Sequence, residues 1–204
     1  MRGRKRRGCK DHGGETSCYH SRNKRLQTLE DIIQDYIARG RTVAKHELAY
    51  YAAAPSLSEA IRLAALAIRD GEKRQDHQRR IPSSALGRLY RKLACQEAAI
   101  KGANNFKDLH TVVQGEGRGE KYIGELTIYD TALRIGAKLE KNPEDVYLHA
   151  GTRKGAKMLG LNVKAECLPL NAFPKEFHRL EPHEIEDVLC IYKDDLERLR
   201  SKQP

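Results

Sequence analysis

From residue 26 onward, apolar residues recur at steps of three and four, interrupted by Gly, Pro and short Ser/Asn punctuation. Leu26, Leu29, Ile32, Ile33, Tyr36 and Ile37 form one helical face, which Gly40 should end, and Thr42 can cap a further helix through about Tyr51, closed by Pro55. Ser56-Leu57-Ser58-Glu59 reads as a capping box opening a helix with Leu57, Ile61, Ala64, Ala65 and Ile68 inward, closed at Asp70-Gly71. After a charged stretch, Ile81-Pro82-Ser83-Ser84 supplies a turn and cap for a helix carrying Leu86, Leu89, Tyr90, Leu93 and Ala94. A shorter helix follows from Asn105, then a glycine-rich loop over 115–119, then a helix with Leu126, Tyr129, Ala132, Leu133 and Leu139 inward.

Asn142-Pro143 is expected to cap and open another helix, with Asp145 in its first turn. Thr152 restarts the chain, the stretch 161–180 is irregular, and Pro182 opens a last helix reaching Leu199. No stretch shows a convincing period of two. The pattern predicts an all-α fold, about eight helices in one globular domain over 26–204. Residues 1–25, rich in Gly and cations and without apolar periodicity, are expected to be a disordered basic tail.

Composition narrows the classes. Charged residues make up 32% and mean hydropathy is −0.71, with no apolar run near the roughly 20 residues a membrane helix needs. No membrane partner is expected, and the start of the chain lacks the apolar core of a secretion leader. Five scattered cysteines argue against a disulfide scaffold and for a reducing, cytoplasmic setting. Cys9, His12, Cys18 and His20 are zinc-compatible types, but their gaps match no common finger, so no metal or other cofactor is expected.

Charge is placed unevenly. Residues 1–25 carry nine Lys/Arg against two acids, and residues 71–92 carry seven against two, while 26–70 and 93–204 each come to −1. Two basic islands suggest a polyanion partner, DNA ahead of RNA, gripped at its phosphates. Arg79 and Arg80 stand before a rigid turn, where their forked donors suit phosphate or guanine. Arg153, Lys154 and Lys157 follow the Thr152 cap, where cations oppose the helix dipole and phosphate contact would account for them. Solvation alone is the other account. Aromatic residues do not interleave with the basic runs, so stacking on single strands is not indicated by sequence.

The stretch Ile123-Gly124-Glu125-Leu126-Thr127 has the make-up of a hairpin ahead of a helix, with amides free for phosphate, and Asp145-Val146-Tyr147-Leu148-His149 follows about twenty residues on. Over roughly 105–160 this resembles the core of the helix-hairpin-helix DNA glycosylase superfamily. The resemblance implies a hairpin that binds the DNA backbone through Gly124, Glu125 and Thr127 and an Asp at 145 that assists loss of a flipped base. Leu126 stands where the Schiff-base Lys of that family would be, Tyr122 where a hairpin Gly would be and Ile128 where an Ala would be, and no four-Cys cluster follows. Any glycosylase here would lack strand-cleaving activity.

Asp145 thus has two readings, catalyst or helix-start acid. Asp130 is a further catalytic candidate, although an exposed ion pair with Arg134 four residues on explains it as well. His149 is a candidate facing a cleft, against the alternative of a hydrogen-bonded filler. Three functions follow in order: a DNA-binding helical protein of weak sequence preference, a monofunctional base-excising glycosylase, and a protein-interaction module of a mobile-element or defence locus.

Overall fold

The computed structural model describes residues 26–201. The basic tail and its Cys and His residues lie outside them. The order is α1 (Leu29–Asp35), a π turn (Tyr36–Gly40), α2 (Arg41–Ala52), α3 (Leu57–Ala65), β1 (Ile68–Arg69), β2 (Lys73–Arg74) and α4 (Ser83–Cys95). Next come α5 (Glu97–Gly102), α6 (Phe106–Gly117), α7 (Glu125–Leu139), β3 (Val146–Tyr147), α8 (Ala150–Met158) and β4 (Cys167–Leu168). After two 3-10 turns, α9 (Pro182–Ile191) and α10 (Lys193–Arg200) finish the fold. It is mainly helical, as the periodicity predicts. No helix among the described residues is long and apolar enough to cross a membrane.

Two large apolar cores and a smaller cluster of Tyr51, Ala54, Ala60 and Leu63 lie among the described residues. The first gathers α3 to α7 around Ile61, Leu86, Leu89, Leu93, Phe106, Leu109 and Ile135. The second gathers α1, α8, α9 and α10 around Ile32, Ile33, Phe177, Ile185, Val188 and Leu196. The central helix is α7, which packs on α2, α3 and α6. Strand β3 joins the cores, because successive side chains on a strand face opposite ways: Val146 enters the second core and Tyr147 the first.

Several local expectations are corrected. Gly40 does not stop a helix: α1, the π turn and α2 run on continuously, with Thr42 inside α2 rather than capping it. What Gly40 provides is room, since a Cβ there would sit 2.6 Å from the Tyr36 ring. The Ser56 hydroxyl does take the Glu59 amide at 3.1 Å, but the Glu59 carboxylate turns to Arg62, so only half of the capping box forms. Helix α6 runs through Gly115 to Gly117, where a Cβ at Gly117 would meet Ile128 at 2.8 Å, so of the loop expected over 115–119 only the part after Gly117 is turn.

Two small sheets were not expected. Ile68 pairs with Arg74 and Arg69 with Lys73, while Val146 pairs with Leu168 and Tyr147 with Cys167. The second overturns the helix expected from Pro143: this segment bends at Glu144 and Asp145 and becomes β3. The terminal helix divides at Tyr192 into α9 and α10.

Helices α8 and α9 touch through backbone. A Cβ at Gly155 would lie 2.3 Å from the Leu189 carbonyl oxygen. Gly155→Ala should therefore cost about 2–3 kcal/mol, read in thermal melts as a fall of roughly 5–10 °C. Gly87, in α4 with nothing within 4 Å of a Cβ, is the control: Gly87→Ala should stabilise by about 0.5–1 kcal/mol.

Candidate functional site

A polar seam separates the two cores. Asp130, in α7, is buried; its Oδ2 lies 2.7 Å from His77 Nε2, accepts from Gln78 Nε2 at 3.1 Å and stands 3.6 Å from the Arg134 guanidinium. Arg134 in turn donates to Gln78 Oε1 at 2.8 Å and to Glu47 at 3.4 Å, and its guanidinium lies 5.5 Å from the Tyr51 ring centre. Burial alone would raise the pKa of Asp130, but Arg134 and His77 outweigh it and hold the carboxyl below its ordinary value. Burial opposes protonation of His77, yet the bond and charge of Asp130 prevail and raise its pKa.

Helix α9 brings three more acids to the seam. Glu184 takes two bonds from Arg41, at 2.6 and 2.7 Å. Glu186 is buried and shares a proton contact with His149 Nε2, while Tyr36 donates its hydroxyl to Asp187 at 2.7 Å. Burial raises the pKa of Glu186 against the opposing pull of His149. Burial and the adjacent Glu186 charge push Asp187 well above the usual carboxylate range, although Tyr36 opposes them. The hydroxyl of Tyr129, also buried here, has no hydrogen-bond partner among the described residues.

Beside the seam opens a cleft of about 220 Å³. Its lining comes from α6 (His110, Gln114), the turn after it (Arg118), α7 (Glu125, Ile128, Tyr129), β3 with its continuation (Tyr147, Leu148, His149), α8 (Arg153) and the approach to β4 (Lys164, Glu166). The aromatic rings are mutually packed. Tyr129 and Tyr147 stack at 5.6 Å between centres, His110 and Tyr147 lie at 4.5 Å, and Phe106 backs both tyrosines at 6.0 and 5.3 Å. Burial lowers the His110 pKa, which favours a neutral ring. At the rim, Gln114 holds Glu166 at 2.8 Å and Arg153 lies 3.4 Å from Glu125. Arg118 and Lys164 carry no ion pair among the described residues, so their charges are available to an incoming anion.

No family model, curated protein or solved structure matches the chain. Its chemistry has to be read from this arrangement.

The sequence-derived candidates are held by different partners. Arg79 and Arg80 are exposed at the turn that delivers His77 and Gln78 to Asp130, with Arg79 3.5 Å from Asp76. Gly124 is the N-cap of α7 in extended conformation with open space around it, and Glu125 pairs with Arg153. Thr127 is buried and its carbonyl accepts the Thr131 hydroxyl, so its side chain is not on the surface expected of a hairpin contact. Arg153 also donates to the carbonyls of Val163 and Ala165, tying α8 to the chain before β4. Lys154 bridges to Asp194 and Glu197 of α10, which accounts for a cation in the first half of α8 without a phosphate. Lys157 is exposed, its carbonyl accepting from Arg200.

Asp145 stands in the bend before β3, outside the residues lining the cleft, and accepts a weak bond from the Cys167 thiol at 3.6 Å. Asp130 does pair with Arg134, but in a buried network rather than on the exposed face expected of it. His149 both lines the cleft and is fixed from behind by Glu186, combining the two accounts given for it. Tyr129, Tyr147, His110, Arg118 and Lys164 were not legible as a site. They come from four separate stretches of the chain.

Asp187 supplies a pH test. Its folded pKa lies above its unfolded value, so its neutral form costs nothing below about pH 4 and stability is lost as pH rises from there toward the folded pKa. Asp187→Asn keeps an acceptor for Tyr36 and removes that loss. The variant should be more stable than the parent at pH 7, with the difference shrinking to near zero by pH 4; urea midpoints across this range measure it.

Proposed function

We propose that the protein binds nucleic acid on the face carrying this cleft, with phosphates at Arg118 and Lys164. The observation that carries the reading is the cleft itself, lined over packed tyrosine and histidine rings by Arg118 and Lys164, which carry no ion pair among the described residues, while Glu125 is answered by Arg153 and Glu166 by Gln114. Polar surface that only kept the protein in solution would not need to close around aromatic rings. Phosphates supply the anion for the rim. The formal net charge of +10 adds long-range attraction.

The basic turn at Arg79 and Arg80 belongs to the same reading as a second phosphate contact, since both residues are exposed. Weak sequence preference follows from contact through phosphates rather than through base edges. DNA is the first ligand to test. The glycosylase alternative gains no support from Asp145, whose carboxylate lies outside the cleft lining.

Anisotropy titrations of a labelled oligonucleotide at several salt concentrations check this. Each phosphate neutralised contributes about 0.7–0.9 to the slope of log K against log salt. Arg118→Glu with Lys164→Glu should weaken binding at least about tenfold and flatten the slope by about 1.5. Lys154→Gln, already claimed by α10, should change affinity little. Salt-independent binding, or a double variant that binds like the parent, overturns the proposal.

A further inference from the structure

Tyr122 is the exposed aromatic of the α6–α7 turn. It is 57% exposed, and Val43 is the other large apolar side chain exposed among the described residues. Its backbone has φ +75°, a left-handed conformation in which a bulky side chain is an outlier and glycine is at ease. The same turn uses glycine at its other left-handed position, Gly119 at φ +81°. The chain therefore keeps a large ring where local conformation favours none. Such strain persists only when the surroundings enforce it, and it concentrates at functional positions.

The surroundings do enforce it. Ile123, next in sequence, is buried in the first core against the Gly117 backbone. Glu120 is held by Arg88 at 2.9 Å and Lys92 at 2.8 Å, both from α4. The amides of Glu120 and Ile123 donate to the carbonyls of Gly117 and Glu120. The ring is thus presented on a fixed turn. Lys121 places its ammonium 5.1 Å from the ring centre, and the turn lies between Arg118 and Glu125, both at the rim of the cleft.

Resting on the nucleic-acid reading above, we infer that Tyr122 is a stacking platform for an unpaired base of a single strand, whose adjoining phosphates lie against Lys121, Arg118 and Lys164. Charge complementarity selects the partner: an exposed ring among cations suits a ligand that is flat, apolar-faced and polyanionic together. It also sets a preference, since a base buried within a continuous duplex cannot offer its face.

The chain contains no Trp, so Tyr122→Trp in the full-length protein places a single tryptophan at the site, whose emission is excited apart from that of the tyrosines. Adding oligothymidylate should quench that emission with the same midpoint as the anisotropy change, whereas inorganic polyphosphate should compete for binding without quenching. Tyr122→Gly removes the ring and suits the positive φ. It should melt at or above the parent temperature yet bind oligothymidylate about tenfold more weakly, with little change toward blunt duplex. Salt-dependent binding with an unquenched Trp, or a Tyr122→Gly variant that binds like the parent, overturns the stacking role and leaves the nucleic-acid reading standing. Absence of any salt-dependent binding in the parent overturns both.

Discussion

The fold depends on how Asp130 is kept charged inside α7. A carboxylate removed from water costs several kcal/mol unless it is paired and its lone pairs are filled, and here three separate pieces of chain meet that demand. His77 and Gln78 come from the turn after β2, Arg134 from the next turn of α7, and Glu47 of α2 completes the circuit through Arg134 and Gln75. Each member is placed by another's need for a partner. The network therefore fixes where the basic turn at Arg79 and Arg80 lies and how the long α1–α2 rod crosses α7. Two apolar cores alone could slide past each other with small loss; a buried ion pair with directional bonds tolerates little displacement.

The seam is asymmetric. Around Asp130 the cations prevail, whereas around Glu186 and Asp187 the acids do, answered by a bond from His149 to the first and from the Tyr36 hydroxyl to the second. Hence the first carboxyl is driven down in pKa and the other two up, although all are enclosed. Tyr129 stands among these groups with its hydroxyl unbonded, an arrangement that costs about 1–3 kcal/mol. Tyr129 also stacks on Tyr147 at the cleft floor. Its ring is fixed by that packing, and the hydroxyl accepts the poorer environment.

Helices with a long apolar stripe were legible in the sequence, because burial of one face imposes the three-to-four spacing directly: α3, α4, α7 and α9 with α10 stand close to where the pattern puts them. Errors arose where one residue type serves two purposes. Glycine marks a helix end in most contexts, but at Gly40, Gly117 and Gly155 it admits a neighbouring ring, side chain or backbone inside a helix or a π turn, a need that depends on partners distant in sequence. Asn142-Pro143 carries a helix-start signal, yet the pairing of Val146 with Leu168 and the division of Val146 and Tyr147 between two cores favour two residues of strand. A strand that short has no period to read. The aromatic cleft was hidden for the same reason, since its rings are adjacent only after α6, α7 and β3 have packed.

Net charge alone is a weak guide to the partner, as the fate of the α8 cations demonstrates. In sequence, a Thr152 cap would put Lys154 in a first turn where the dipole disfavours it, which argues for a phosphate, but α8 starts at Ala150 with His149 as its cap and α10 supplies Asp194 and Glu197, so the need disappears. Arg153 likewise spends its donors on the carbonyls of Val163 and Ala165. Discounting cations the fold already uses removes Arg153 and Lys154 from the lining of the cleft and its surroundings, and Arg118 and Lys164 remain at the rim, with Lys121 beside Tyr122. Arg118 and Lys164 both line the cleft, and Lys121 and Tyr122 stand on the turn that follows Arg118. Charge used inside a protein stabilises that protein; charge left over beside an exposed ring is what a polyanion with flat bases can recognise, and the nucleic-acid reading rests on that remainder rather than on the sum.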